Sequence, residues 1–135
     1  MLTVATIGGC KGEALDARIR TDGVYKSDVS FEEYNGDPIW SYLRFFDDGF
    51  VISTSSTNTP VELKPWFTKS HVGPHGTVRT DGEKISFTTQ STVGMVEYTG
   101  TPSGNSLELT YVSKIPGYEG RSQTLIYTFV KTAMN

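Results

Sequence analysis

The sequence predicts an all-β fold, an antiparallel up-and-down meander of about eight strands closed into a barrel. Three observations carry that prediction. From Asp22-Gly23 onward, short runs rich in β-branched and aromatic residues alternate with polar positions. Asp48-Gly49 and Asp81-Gly82 stand between consecutive runs, and such pairs tolerate the positive φ that closes a hairpin. No stretch has the length and period of the helix that a βαβ crossover needs. At 135 residues the chain is long enough for one core and too short for two. Residues 1–21 lack a clean period and are expected to form a tail or short helix, leaving 22–135 as the barrel domain.

Residues 24–31 make the first expected strand, and the polar stretch 32–38 leads away from it. The run 39–46 is the strongest strand signal, aromatic and β-branched with one charge, Arg44. It turns at Asp48-Gly49 and returns over 50–55. Closing that turn with two residues would put Leu43, Phe45 and Ile52 on one face. Residues 57–67 break the alternation, and Pro60 and Pro65 limit them to a short helix or turn, expected to lie across a barrel end. A loop follows at 71–75. A second hairpin then pairs 77–80 with 84–89 and aligns Val78, Ile85 and Phe87. The third joins 93–101 to 106–113. The closing run 121–131 sets Leu125, Tyr127 and Phe129 against Ile126, Thr128 and Val130. First and last strands can pair to remove exposed edges. An open two-sheet sandwich is the alternative on the same pattern.

Composition narrows the function classes. Twelve Lys and Arg against fifteen Asp and Glu give a net charge of -3. That leaves no basic footprint for nucleic acid and no polybasic patch for an anionic membrane. No apolar run is long enough for a transmembrane segment. The single cysteine, Cys10, cannot form an internal disulfide. Ile7-Gly8-Gly9-Cys10 looks like the end of a bacterial lipoprotein signal. A thiol in a tail is the simpler reading, so a cytoplasmic protein is expected, with an exported lipoprotein as the alternative.

No residue pattern announces catalysis or a cofactor. His71 and His75 have the spacing of a zinc pair on a helix, but Gly73 and Pro74 between them break that helix. There is no G-x-S-x-G elbow and no Walker or dinucleotide glycine pattern. Glu32-Glu33 and Asp47-Asp48 are adjacent carboxylates, which point apart in a strand and are solvated in a turn. Neither a catalytic nor a metal site is expected.

The aromatic residues say more. Trp40, Tyr42 and Phe46 alternate with Ile39, Leu43 and Phe45, so both faces of this strand are apolar where a barrel wall needs one. The outer face therefore needs a cover, from the chain's own Trp66-Phe67 segment or N-terminal tail first and from a homodimer contact second. Inside, Tyr25, Leu43, Phe45, Ile52, Phe87, Tyr98, Tyr111 and Tyr127 are the candidate ligand-lining residues, with Ser53, Thr89 and Thr110 as polar contacts. Trp40, Tyr42 and Tyr118, the last in a rigid loop, are the candidate interaction residues.

The run Trp40-Ser41-Tyr42-Leu43-Arg44-Phe45-Phe46-Asp47-Asp48-Gly49-Phe50-Val51-Ile52-Ser53, with Gly76-Thr77-Val78, Ile85-Ser86-Phe87 and Tyr127-Thr128-Phe129-Val130, resembles small uncharacterised bacterial proteins of lipocalin-like shape. The likeness covers most of the chain from Gly23 on. Gly23-Val24-Tyr25 occupies the place of the Gly-x-Trp signature of lipocalins, with tyrosine for tryptophan. At the level of the fold, the resemblance implies a calycin-type barrel holding a small apolar ligand at its open end. The expected function is a binding protein for a small apolar or amphipathic ligand. The alternative is a protein-protein interaction module, such as a surface lipoprotein or inhibitor-like domain, with a filled barrel.

Overall fold

The computed structural model describes residues 18–30, 33–34, 36–60, 62–63, 65, 67–68, 73–92, 94–103, 105–117 and 119–132. The strands are β1 (Gly23–Ser27), β2 (Glu33–Tyr34), β3 (Asp37–Pro38), β4 (Trp40–Phe45), β5 (Phe50–Ser56), β6 (His75–Thr77), β7 (Arg79–Asp81), β8 (Lys84–Ser91), β9 (Gly94–Ser103), β10 (Ser106–Ser113) and β11 (Ser122–Lys131). β2 and β3 form a separate two-stranded ladder. The others close a barrel. β6 and β7 share one register against β8, His75 facing Gln90 and Arg79 facing Ser86, and so act as one wall strand broken at Val78. The ring then holds eight antiparallel strands, each beside its neighbours in sequence. Closure comes from β1 against β11, from Gly23 facing Lys131 to Ser27 facing Tyr127. The expected meander and its closing pair are both present, and no sheet edge is left over on the ring.

The turn between β4 and β5 departs from the expected register. Phe46 N–H donates to Phe50 O at 2.9 Å and Gly49 N–H to Phe46 O at 2.9 Å, so Asp47, Asp48 and Gly49 form a three-residue loop. Gly49, at φ 91°, fills the left-handed position such a loop ends on. The added residue moves the partner of Phe45 from Ile52 to Val51. Because side chains alternate with period two, Leu43, Phe45 and Val51 share the inner face and Ile52 turns outward. The remaining alternations fall as expected: Val78, Ile85, Phe87, Leu125 and Tyr127 are all buried inside. Gly100 marks a crowded crossing, since a Cβ there would collide with the carbonyl of Glu108 on β10.

The chain buries two apolar layers. Inside the barrel lies the larger, including Ile19, Tyr25, Leu43, Phe45, Val51, Phe87, Leu107, Leu109 and Leu125. Its aromatic rings form a column: Phe129 to Tyr25 at 5.2 Å, Tyr25 to Phe45 at 5.7 Å, Phe45 to Phe87 at 5.7 Å and Phe87 to Tyr98 at 4.6 Å between centroids. The first three contacts are edge-on, the geometry the ring quadrupole favours, and the last is stacked. Residues 18–22 run under this end. Arg18 donates to the carbonyls of Gly82 and Glu83, Arg20 N–H donates to the Tyr25 hydroxyl at 2.9 Å, and the Arg20 guanidinium lies 4.1 Å from the centre of the Phe129 ring. Arg20 also pairs with Asp22 at 2.9 Å, and that hydrogen bond holds the Asp22 carboxyl below its usual range.

The second layer is outside. Val24, Tyr42 and Ile52 are buried beneath Leu63 and Phe67, with Trp40, Phe46, Phe50 and Val130 around them. The outer face of β4 is thus covered by the chain's own 57–68 segment, as its two-sided apolar pattern requires. The segment lies on the wall, however, where the sequence suggested a barrel end. Two contacts fix it there, and a third holds its own turn. Tyr42 donates to Asn58 O at 2.8 Å, Arg44 Nη1 donates to Phe67 O at 3.0 Å, and Glu62 accepts from the Thr59 backbone and hydroxyl. Trp66 lies outside the described residues. Burial depresses the Arg44 guanidinium, whose Nε is buried without a hydrogen-bond partner, while its plane packs 4.3 Å from the Phe46 ring centre.

Phe67→Ala is expected to cost about 3 kcal/mol or more, the usual range for emptying a fully buried aromatic site. Urea unfolding with the Val29→Ala variant as an exposed control, expected to change stability by less than about 0.5 kcal/mol, measures the difference.

Candidate functional site

The two ends of the barrel are built differently. At the end where residues 18–22 pass, aromatic and aliphatic side chains fill the interior. Toward the other end, inward positions change from large apolar residues to serines and tyrosines: Ser41 on β4, Ser53 and Ser55 on β5, Tyr98 on β9, Tyr111 and Ser113 on β10, and Tyr127 on β11. With Val96, Ile115 and Arg121 they line a cavity of about 370 Å³ that opens at the loop end. The alternation of each strand delivers these residues inward for the same reason it delivers Leu43 and Leu109; what differs is the height along the barrel.

Hydroxyl groups hold the lining in place. Ser41 N–H donates to Ser27 Oγ at 3.0 Å, and the Ser27 hydroxyl donates to Val29 O at 2.8 Å. Ser41 Oγ and Tyr127 Oη share a hydrogen bond of 2.9 Å across the barrel. Ser53 Oγ and Tyr98 Oη lie 3.5 Å apart. Nearer the mouth, the Tyr111 hydroxyl donates to Gln123 Oε1 at 3.4 Å, and its ring is tilted against Tyr98 at 6.5 Å. Burial raises both the Tyr98 and the Tyr127 phenols above the ordinary value near 10. Both phenols therefore stay protonated and able to donate throughout the physiological range.

The loop from β10 to β11 sets the rim. Ser113 N–H donates to Arg121 O at 2.8 Å and Gly120 N–H to Ser113 O at 2.9 Å, closing the loop's base. Ile115 N–H donates to Ser113 Oγ at 3.2 Å. The Glu119 carboxylate accepts from Gly117 N–H at 3.1 Å. Ile115 and Arg121 are thereby held over the opening.

Of the residues the sequence singled out, Tyr98, Tyr111, Tyr127 and Ser53 come together in this cavity. Tyr25, Leu43, Phe45 and Phe87 lie in the packed interior layer. Thr89 is buried beside Tyr98, with which it hydrogen-bonds. Ile52 is under the outer cover, and Thr110 faces outward, bonded to Thr124 at 2.7 Å; neither reaches the interior. Tyr42 is buried and Trp40 lies at 4.0 Å under the Lys26 ammonium. Tyr118, His71 and Cys10 lie outside the described residues. His75 faces away from the cavity, stacked on Phe50 at 5.4 Å with Nδ1 2.7 Å from Gly73 O. Sequence reasoning missed Ser41, Ser55, Ser113, Val96, Ile115 and Arg121 as lining residues. The serines at strand ends were the available signal, but a serine near a turn has a commoner use in capping loops.

A larger depression of about 450 Å³ lies on the outer wall, built from exposed side chains such as Thr77, Arg79, Thr88 and Glu97. The interior cavity brings hydroxyl groups from β4, β5, β9, β10 and β11 onto one volume inside the ring, which the outer groove does not. Among the described residues, no helix is long and apolar enough to cross a membrane. Comparison with protein-family models, with curated proteins and with solved structures finds no match for this chain. The eight-stranded barrel therefore rests on the chain's own geometry, and no family, relative or solved structure supports the lipocalin-like or bacterial resemblance.

Tyr98 and Tyr127 are expected to couple stability to alkaline pH. Their folded-state pKa values lie above the unfolded one, so the native state keeps protons that the unfolded chain gives up. Stability is then fully present below about pH 10, the ordinary tyrosine value, and falls as pH rises through the shifted values. Tyr127→Phe should weaken that fall, as urea midpoints measured across the alkaline range would reveal; an unchanged slope would contradict the placement of Tyr127.

Proposed function

We propose that this protein is a small binding barrel, holding one small amphipathic molecule in the upper half of its interior. The observation that carries this reading is the cavity of about 370 Å³ above an interior packed solid by the aromatic column. An eight-stranded barrel either fills with side chains or keeps room for one small ligand, and here the two conditions occupy opposite ends. Small serines occur at inward positions where leucine or phenylalanine would have filled the space. Apolar contact is available from Val96, Ile115 and the tyrosine ring faces, and orientation from the hydroxyls.

Protein interaction through the outer aromatic face has less support. Tyr42 is 1% exposed, and the apolar surface around it is taken up by Leu63 and Phe67.

Native mass spectrometry of protein purified from its own host should detect a retained molecule of small mass. Ser53→Leu, which fills the cavity with an apolar side chain, is expected to abolish that adduct and any thermal shift by ligands while the circular dichroism of the barrel is unchanged. Absence of an adduct, together with no thermal shift across a panel of small amphipathic compounds, would overturn the reading.

A further inference from the structure

We infer that the molecule held in the barrel is an uncharged alcohol, its hydroxyl inward among the buried hydroxyls of the lining and its apolar body toward the mouth against Val96, Tyr111 and Ile115. This rests on the binding reading above and names its ligand class and orientation. Three features of the lining lead there. The first is how polarity changes with depth. Tyr127 and Ser41 are 1% and 4% exposed, and Ser53 and Tyr98 are buried with them. Val96, Tyr111 and Ile115 are half-buried, while Ser55 and Arg121 are exposed at the opening. A guest with one polar end meets apolar side chains on the way in and hydroxyls at the deep end.

The second feature is charge. Among the described residues that line the cavity, the charged one is Arg121, which is exposed and already engaged within the protein. The buried end offers hydroxyl dipoles and, among the described residues, no counter-charge. A carboxylate or ammonium placed there would give up its hydration for contacts that do not replace it. Burial holds the Tyr98 and Tyr127 phenols in their neutral form, and the same desolvation acts on any charge that a guest brings.

The third feature is what the buried hydroxyls can still do. Ser41 and Tyr127 share one hydrogen bond of 2.9 Å. Tyr98 lies 3.5 Å from Ser53 and also hydrogen-bonds to Thr89. Each hydroxyl oxygen has two acceptor lone pairs, so Ser41, Tyr127 and Ser53 keep acceptor positions whichever way their hydrogens point. A guest that donates can use those positions, which a carboxylate cannot. An alcohol donates, accepts in return and carries no charge, so it joins these pairs without breaking them.

Four naphthalene probes with one ring system separate the alternatives: 2-(2-naphthyl)ethanol, 2-ethylnaphthalene, 2-naphthylacetate and 2-(2-naphthyl)ethylamine, each titrated by its own fluorescence at about pH 7. The ethanol is expected to bind at least about tenfold more tightly than the acetate or the amine, since each ion must shed its water to enter. Ser53→Ala and Tyr127→Phe, made separately and checked for folding by circular dichroism, remove one deep hydroxyl each. Each should weaken the ethanol about threefold or more relative to 2-ethylnaphthalene, the scale of one neutral hydrogen bond. An acetate or amine that binds as tightly as the ethanol, or an ethanol-to-hydrocarbon ratio unchanged in both variants, would overturn the alcohol assignment and leave the container reading standing. Failure of all four probes on the folded protein would count against both.

Discussion

The column of rings from Phe129 through Tyr25, Phe45 and Phe87 to Tyr98 is the constraint on which the rest of the barrel depends. It joins β11, β1, β4, β8 and β9, strands from both ends of the chain, through the interior. Eight strands enclose a space that four or five large side chains nearly fill. Where they stand, the wall is braced from within. The column ends at Tyr98, and above it the interior residues shrink to serines. The same strands thus supply a rigid floor and an open upper chamber, without any change of backbone.

A second consequence follows from strand β4, which is apolar on both faces. A wall strand with Leu43 and Phe45 inside and Tyr42 outside cannot leave both faces in water. The chain solves this locally. The 57–68 segment leaves β5, folds back over the outer wall, and places Leu63 and Phe67 on Tyr42 and Ile52. Arg44 takes part by packing on Phe46 and donating to the carbonyl of Phe67. One charged residue in an aromatic strand therefore serves as a fastener between wall and cover.

The upper chamber is polar for an equally physical reason. Buried hydroxyls cost free energy unless they are paired, and those of Ser27, Ser41 and Tyr127 are paired across β1, β4 and β11. These links hold the wall where no apolar packing does. Burial also keeps the Tyr98 and Tyr127 phenols protonated, so both stay able to donate within the lining. The surplus of aromatic and hydroxyl side chains along the strands suggested an apolar cavity open at one end. Tyr25, Phe45, Phe87 and Phe129 went to the floor, and the chamber kept Tyr98, Tyr111 and Tyr127, whose hydroxyls find partners.

Alternation and turn chemistry determined the strands, their sequential pairing and the closure of first against last, since period-two burial and glycine turns are local properties of the chain. They also determined that the strand around Tyr42 needs a cover. Tertiary structure alone decided the rest. The Asp47-Asp48-Gly49 loop holds three residues where two were expected, and that single residue sends Ile52 to the outer wall. Thr110 faced outward because its parity follows Thr99 and Thr124 on neighbouring strands. Height along the barrel, which separates Leu43 in the floor from Ser41 in the chamber, depends on how each strand is staggered against the next. Stagger is a relation between strands distant in sequence, and no local pattern encodes it.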